Sequence, residues 1–113
     1  MNNFKILYHF ESQRFSLIEI KRSLATEEDK SKLYFWLLFD KEKSRLQKLN
    51  FVSMISCNMK EYRVFENARL AFDKKVAVLH IDNHDLRLEP ILPNIQLNMD
   101  IQEAVESFLD KTI

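Results

Sequence analysis

Phe4, Ile6, Tyr8 and Phe10 alternate with polar Lys5 and His9, the period of two that marks a half-buried strand, and Leu7 interrupts it. The polar residues 11–14 permit a turn, and residues 15–21, rich in Ile, Leu and Phe, predict the second arm of a hairpin. Residues 23–32 read as a polar connector or as one helical turn capped by Thr26. Residues 33–39 are apolar or aromatic throughout, which predicts a central strand covered on both faces. Residues 41–49 admit two readings. One is a short helix, with Leu46 and Leu49 at helical spacing and Asp40 or Ser44 as cap; the other is a long hairpin loop.

Residues 51–56, 62–66 and 68–72 are short, β-prone and divided by Asn58 and Asn67, as in a meander. Residues 75–81 predict a second well-buried strand. Leu86 and Leu88 alternate with Arg87 and Glu89 in a short edge strand, which Pro90 and Pro93 end. Ile101, Ala104, Val105, Phe108 and Leu109 then fall at i, i+3, i+4, i+7 and i+8, the stripe of an amphipathic helix beginning at Asp100 as its cap. The pattern therefore predicts an α+β fold in a single domain over residues 1–113. A mainly antiparallel sheet of five to seven strands carries the C-terminal helix, and one short helix is admitted near 41–49.

Composition changes this picture at the turns. The chain has 113 residues and no glycine, where average usage of about 7% gives roughly eight. That removes the phosphate-cradling loop, the dinucleotide fingerprint, the nucleophile elbow and the EF-hand, all of which need a backbone without Cβ. Tight hairpins need φ > 0, so they fall to Asn50, Asn58, Asn67, Asn83 and Asn94 or give way to longer loops. The one cysteine, Cys57, permits no intrachain disulfide and is expected as a small buried apolar residue. The N-terminus shows no leader pattern, and the longest apolar run, 33–39, is far short of the ~20 residues of a membrane span, so a cytoplasmic location is expected. Much Lys and Asn with little Ala suggests an AT-rich bacterial genome.

The net charge is zero, from 17 basic and 17 acidic residues, but the two signs are unevenly placed. Lys41, Lys43, Arg45 and Lys48 crowd one segment. Asp82, Asp85, Glu89, Asp100, Glu103, Glu106 and Asp110 gather toward the C-terminus. The basic run could meet phosphates beside Tyr34, Phe35 and Trp36, but it contains Glu42, and a solvated face is the simpler reading. A nucleic-acid partner is therefore not expected.

Three local patterns suggest chemistry. His80, Asp82 and His84 would share one side of an extended strand and are weak candidates for a first-row metal site. Glu19 and Lys21 have the E-x-K spacing found in metal-dependent nuclease cores, without a further Asp on a neighbouring turn. Tyr8, Phe10 and Trp36 are candidates to line a ligand pocket. None supplies a nucleophile with its base, so neither a catalytic residue nor a cofactor is expected.

The leading expectation is a small non-catalytic binding protein of the bacterial immunity or antitoxin type. Its acidic surface, Asp82, Asp85, Glu89, Asp100, Glu103, Glu106 and Asp110, would cover a basic toxin such as a nuclease and mimic its phosphates. One alternative is a small enzyme or metal- or ligand-binding domain using residues 80–85. Another is a homo-oligomeric structural or chaperone subunit associating through an edge strand.

Overall fold

The computed structural model describes residues 4–23, 33–72, 75–92 and 97–111. The expected Thr26-capped turn, Pro93 and Asn94 lie outside them. The described elements are β1 (Phe4–Glu11), β2 (Phe15–Arg22), β3 (Tyr34–Asp40), β4 (Arg45–Leu49), β5 (Phe51–Cys57), β6 (Lys60–Phe65), β7 (Ala68–Phe72), β8 (Ala77–Ile81), β9 (His84–Pro90) and α1 (Met99–Lys111). The nine strands form one antiparallel sheet in the order β4-β3-β2-β1-β9-β8-β7-β6-β5, more than the five to seven expected. Two meanders thus meet where β1 pairs with β9, at Phe10↔Pro90 and Glu11↔Glu89. The strand expected at an edge around Leu86–Leu88 is β9, which lies inside the strand order, but β1 reaches it only at Glu89 and Pro90, so among the described residues Leu86–Leu88 pair with β8 alone.

The outermost strands of that order, β4 and β5, are separated in sequence by Asn50 alone. One residue cannot cross a flat nine-stranded sheet, so the sheet curls into a half-barrel that brings the end of β4 beside the start of β5 at Asn50, while among the described residues the two strands stay unpaired with each other. At this corner the Asn50 carbonyl accepts the Glu66 amide at 2.9 Å, and its side-chain amide donates to the Glu66 carboxylate at 3.1 Å. Phe65 sits edge-to-face with both Trp36 and Phe51, at 5.5 and 6.1 Å between ring centroids.

Curling gives β2 and β3 two buried faces. Leu17, Trp36 and Leu38 point inward and pack with Phe65, Leu70, Leu79 and Leu88 of the opposite meander. Ile18, Ile20, Phe35, Leu37 and Phe39 point outward, under Ile101, Val105 and Leu109 of α1. The uninterrupted apolar run in β3 is explained by its place between helix and barrel interior. Leu7 interrupts the alternation of β1 because the register shifts there: Ile6 pairs with Ile20 and Tyr8 with Glu19. The helix begins one residue earlier than expected, and Asn98 rather than Asp100 caps it, its side-chain oxygen accepting the Asp100 amide at 2.9 Å.

Residues 41–49 contain no helix. Lys41–Ser44 turn the chain and Arg45–Leu49 continue as β4. Asp40 decides this, since its carboxylate accepts the amides of Glu42 and Lys43 and holds the turn. Without glycine, the two-residue hairpin turns fall to Asn58-Met59 and Asp82-Asn83, all four at positive φ between 50° and 62°. This is the type I′ geometry. Asn58 and Asn83 meet the expectation of Asn-based turns, whereas Asn50 and Asn67 do not take positive φ, and Ser44, Met59 and Asp82 enter the left-handed region without being asparagine.

Candidate binding site

The β8–β9 turn separates the residues of the 80–85 cluster. The chain reverses at Asp82-Asn83, so His80 pairs with Asp85 and Ile81 with His84. His80 Nδ1 lies 2.7 Å from the Asp85 carboxylate on the outer face, while His84 follows Ile81 toward the inner one. His80, Asp82 and His84 therefore do not share a side. Among the described residues no group of three His, Cys, Asp or Glu is placed to hold a metal ion.

Asp82, His84 and Asp85 instead form one wall of a cleft of about 880 Å³ at one end of the half-barrel. The opposite wall is basic, with Arg14, Lys43 and Arg45. Its rim is braced by a two-pronged Arg14–Asp40 bridge at 3.0 and 3.2 Å, in which Arg14 holds the Asp40 carboxyl below its usual pKa. The turn at Lys41–Ser44 and the alternation of β4 disperse the rest of the basic run. Lys41 turns toward Glu11 at 3.2 Å and donates to the Ser12 carbonyl at 3.0 Å, and the Lys48 ammonium lies over the Phe35 ring.

The acidic residues fall in two places. Asp82 and Asp85 belong to the cleft, and Glu89 faces Glu11 across the β1–β9 pair. Asp100, Glu103 and Asp110 lie exposed on α1, and Glu106, half-buried, accepts a hydrogen bond from Gln102 at 2.9 Å. The apolar stripe fixes the helix orientation: with Ile101, Val105 and Leu109 buried under β2 and β3, the carboxylates are left to solvent.

The aromatic trio does converge. Tyr8 stacks on Phe10 at 6.2 Å and on Trp36 at 6.0 Å, and Phe72 closes against Tyr8 and Phe10. Glu19 joins them from the inner face of β2. Burial raises its pKa, while the charge of Arg63 and a hydrogen bond from the Trp36 indole N–H oppose the rise. Arg63 rests over the Phe72 ring at 4.9 Å with Nη1 buried and lacking a hydrogen bond. A second cavity of about 460 Å³ opens beside Glu19 and is walled by Tyr34, Leu49 and Phe51; of the three aromatics expected to line a pocket, Trp36 borders it and Tyr8 and Phe10 do not. Glu19 is thus engaged in the barrel interior, and Lys21 lies over the Tyr34 ring at 5.8 Å; among the described residues Glu19 belongs to no group of three side chains placed to hold a metal ion.

Cys57, expected inside, is exposed at the end of β5. Its strand is the feature that sequence reasoning passed over. Phe51, Val52, Met54 and Ile55 are all exposed, and β5 holds no charged residue. The signal was present as an uncharged apolar run bounded by Asn50 and Asn58, but only the strand order shows that the run is an edge. Comparison of the chain with family models, curated proteins and solved structures found no match.

Proposed function

We propose that the protein is a small non-catalytic binding protein of the immunity or antitoxin type, which neutralises a basic partner protein by covering its active site. The observation that carries this reading is α1. Its apolar stripe, Ile101, Val105 and Leu109, is used inside the fold, and the thirteen-residue helix holds four carboxylates, Asp100, Glu103, Glu106 and Asp110, against one basic residue, Lys111. A ridge of this kind draws in a basic surface and steers its approach. The dipolar cleft adds Asp82 and Asp85 on a separate surface.

The test is co-expression with the product of the adjacent reading frame. A stoichiometric complex that relieves the neighbour's toxicity is expected, with association slowing as salt rises and slowing further in a Glu103→Lys variant. A harmless neighbour that does not co-purify overturns the reading.

A second reading, a small-ligand binder, is favoured by one observation: the 460 Å³ cavity is lined by Tyr34, Phe35, Trp36 and Phe51 together with Glu19 and Lys48. Cavities of roughly 300–1,000 Å³ with such linings accept small molecules. A thermal-shift screen of ring-bearing amines checks it. A ligand at about 100 times its Kd raises stability by about 2.7 kcal/mol, and Glu19→Gln weakens that effect.

A further inference from the structure

We infer that β5 is a self-association edge, and that the chain forms a two-fold dimer by antiparallel pairing of β5 with β5 of a second copy. This rests on the sheet edge alone and is independent of the acidic helix.

Among the described residues β5 pairs only with β6, so its outer edge presents a row of unpaired N–H and C=O groups. Such a row is complemented by another extended strand. The side chains make the same demand. Met54 and Ile55, consecutive in the regular part of the strand and so on opposite faces, are exposed at 62% and 49%. Both faces of β5 thus keep apolar surface open to solvent, and Met59 at the tip of the β5–β6 hairpin is fully exposed.

The other edge of the sheet differs. β4 exposes Arg45, Gln47 and Lys48 and lies against α1. Charged residues on an edge discourage strand addition. Of the two terminal strands of the sheet, β4 is guarded and β5 is not.

A second copy fits that unguarded edge in three respects. A strand without charges opposes no like charges along its own length when paired antiparallel with itself. The chain has zero formal net charge, so long-range self-repulsion does not hold two copies apart. A two-fold β5–β5 contact also consumes both open edges and leaves β4 at each end of the joined sheet. The assembly then closes as a dimer and does not grow into a fibre.

The test is the mass of the isolated protein by size-exclusion chromatography with light scattering, under reducing conditions, from low to high micromolar concentration. A mass twice the 13.6 kDa of the chain is expected. Met54→Lys and Val52→Lys place a cation on the exposed edge and raise the dimer Kd by about tenfold or more. In wild type, hydrogen exchange slows along β5 as concentration rises while β4 is unchanged, a readout that needs no variant. A monomer at every concentration overturns the inference. So does a dimer that both lysine variants leave intact, or one that reduction abolishes, since the last is a Cys57 disulfide. Each result is read on the protein alone, so failure here leaves the partner reading standing, and a failed co-purification leaves the dimer standing.

Discussion

His9 is 5% exposed on the outer face of β1, and neither ring nitrogen has a hydrogen-bond partner. Nε2 lies 3.6 Å from the Glu11 carboxylate, an electrostatic contact too long for a hydrogen bond. Burial favours the neutral ring and holds the pKa below 6.5; Glu11 opposes that and Lys41 adds to it. Burial would raise the pKa of Glu11 itself, but the Ser16 hydroxyl at 2.8 Å and the Lys41 ammonium bring it below 4.5. Between the folded pKa of His9 and 6.5 the unfolded chain binds more protons than the native one. The His9 contribution is therefore complete above pH 6.5 and is lost as pH falls through the folded value. Urea denaturation across this range should show stability falling on acidification, with a slope of at most about 1.4 kcal/mol per pH unit from this group. His9→Leu should flatten that slope, leaving the fall caused by Glu11, which begins below pH 4.5. An unchanged slope would show that His9 is not its source.

At the scale of elements, the hairpins show what the chain does without glycine. Asparagine tolerates the left-handed region because its short polar side chain bonds locally, but Met59, at φ 62°, has no such compensation. Met59 is fully exposed, so its side chain adds no packing to offset the strain. Met59→Gly should therefore stabilise the protein by about 1 kcal/mol, net of the extra freedom gained by the unfolded chain. Chemical denaturation of the two forms measures it, and a loss of stability would contradict the assignment. Strands and helix were legible because periodicity is local. The stripe at Ile101, Val105 and Leu109 announced α1, and the alternation at Phe4–Phe10 announced β1. The misread element, β4, is short: Leu46 and Leu49 lie three apart, a spacing that fits a helix as well as a strand followed by a corner. What decided it was Asp40, whose bonds to two amides and to Arg14 close a turn the apolar pattern does not encode.

The whole molecule depends on contacts between segments far apart in sequence. The barrel interior joins Trp36 to Phe65 and Leu17 to Leu88, so the two meanders share one core and neither buries its inner face alone. The same closure assembles the candidate sites. It sets Arg45 opposite Asp85, gathers Tyr8, Trp36 and Phe72 around Glu19 and Arg63, and leaves β5 at an open edge. The dimer proposed through β5 and the partner proposed along α1 both belong to this scale, because each needs a surface that no single element defines.

By itself the sequence determined the alternation of β1, the apolar stripe of α1, the Asn58 and Asn83 turns in the absence of glycine, and that α1 carries an acidic ridge. These are consequences of the 2.0 and 3.6 residue periods and of the φ that each residue tolerates. Only the tertiary structure decided that β1 lies beside β9, that His80 and His84 face apart, that Cys57 is exposed and that β5 is an edge. Main-chain hydrogen bonds between strands are nearly indifferent to residue identity, so strand order is set by how the complete set of apolar faces can be buried at once, a condition that no local window contains.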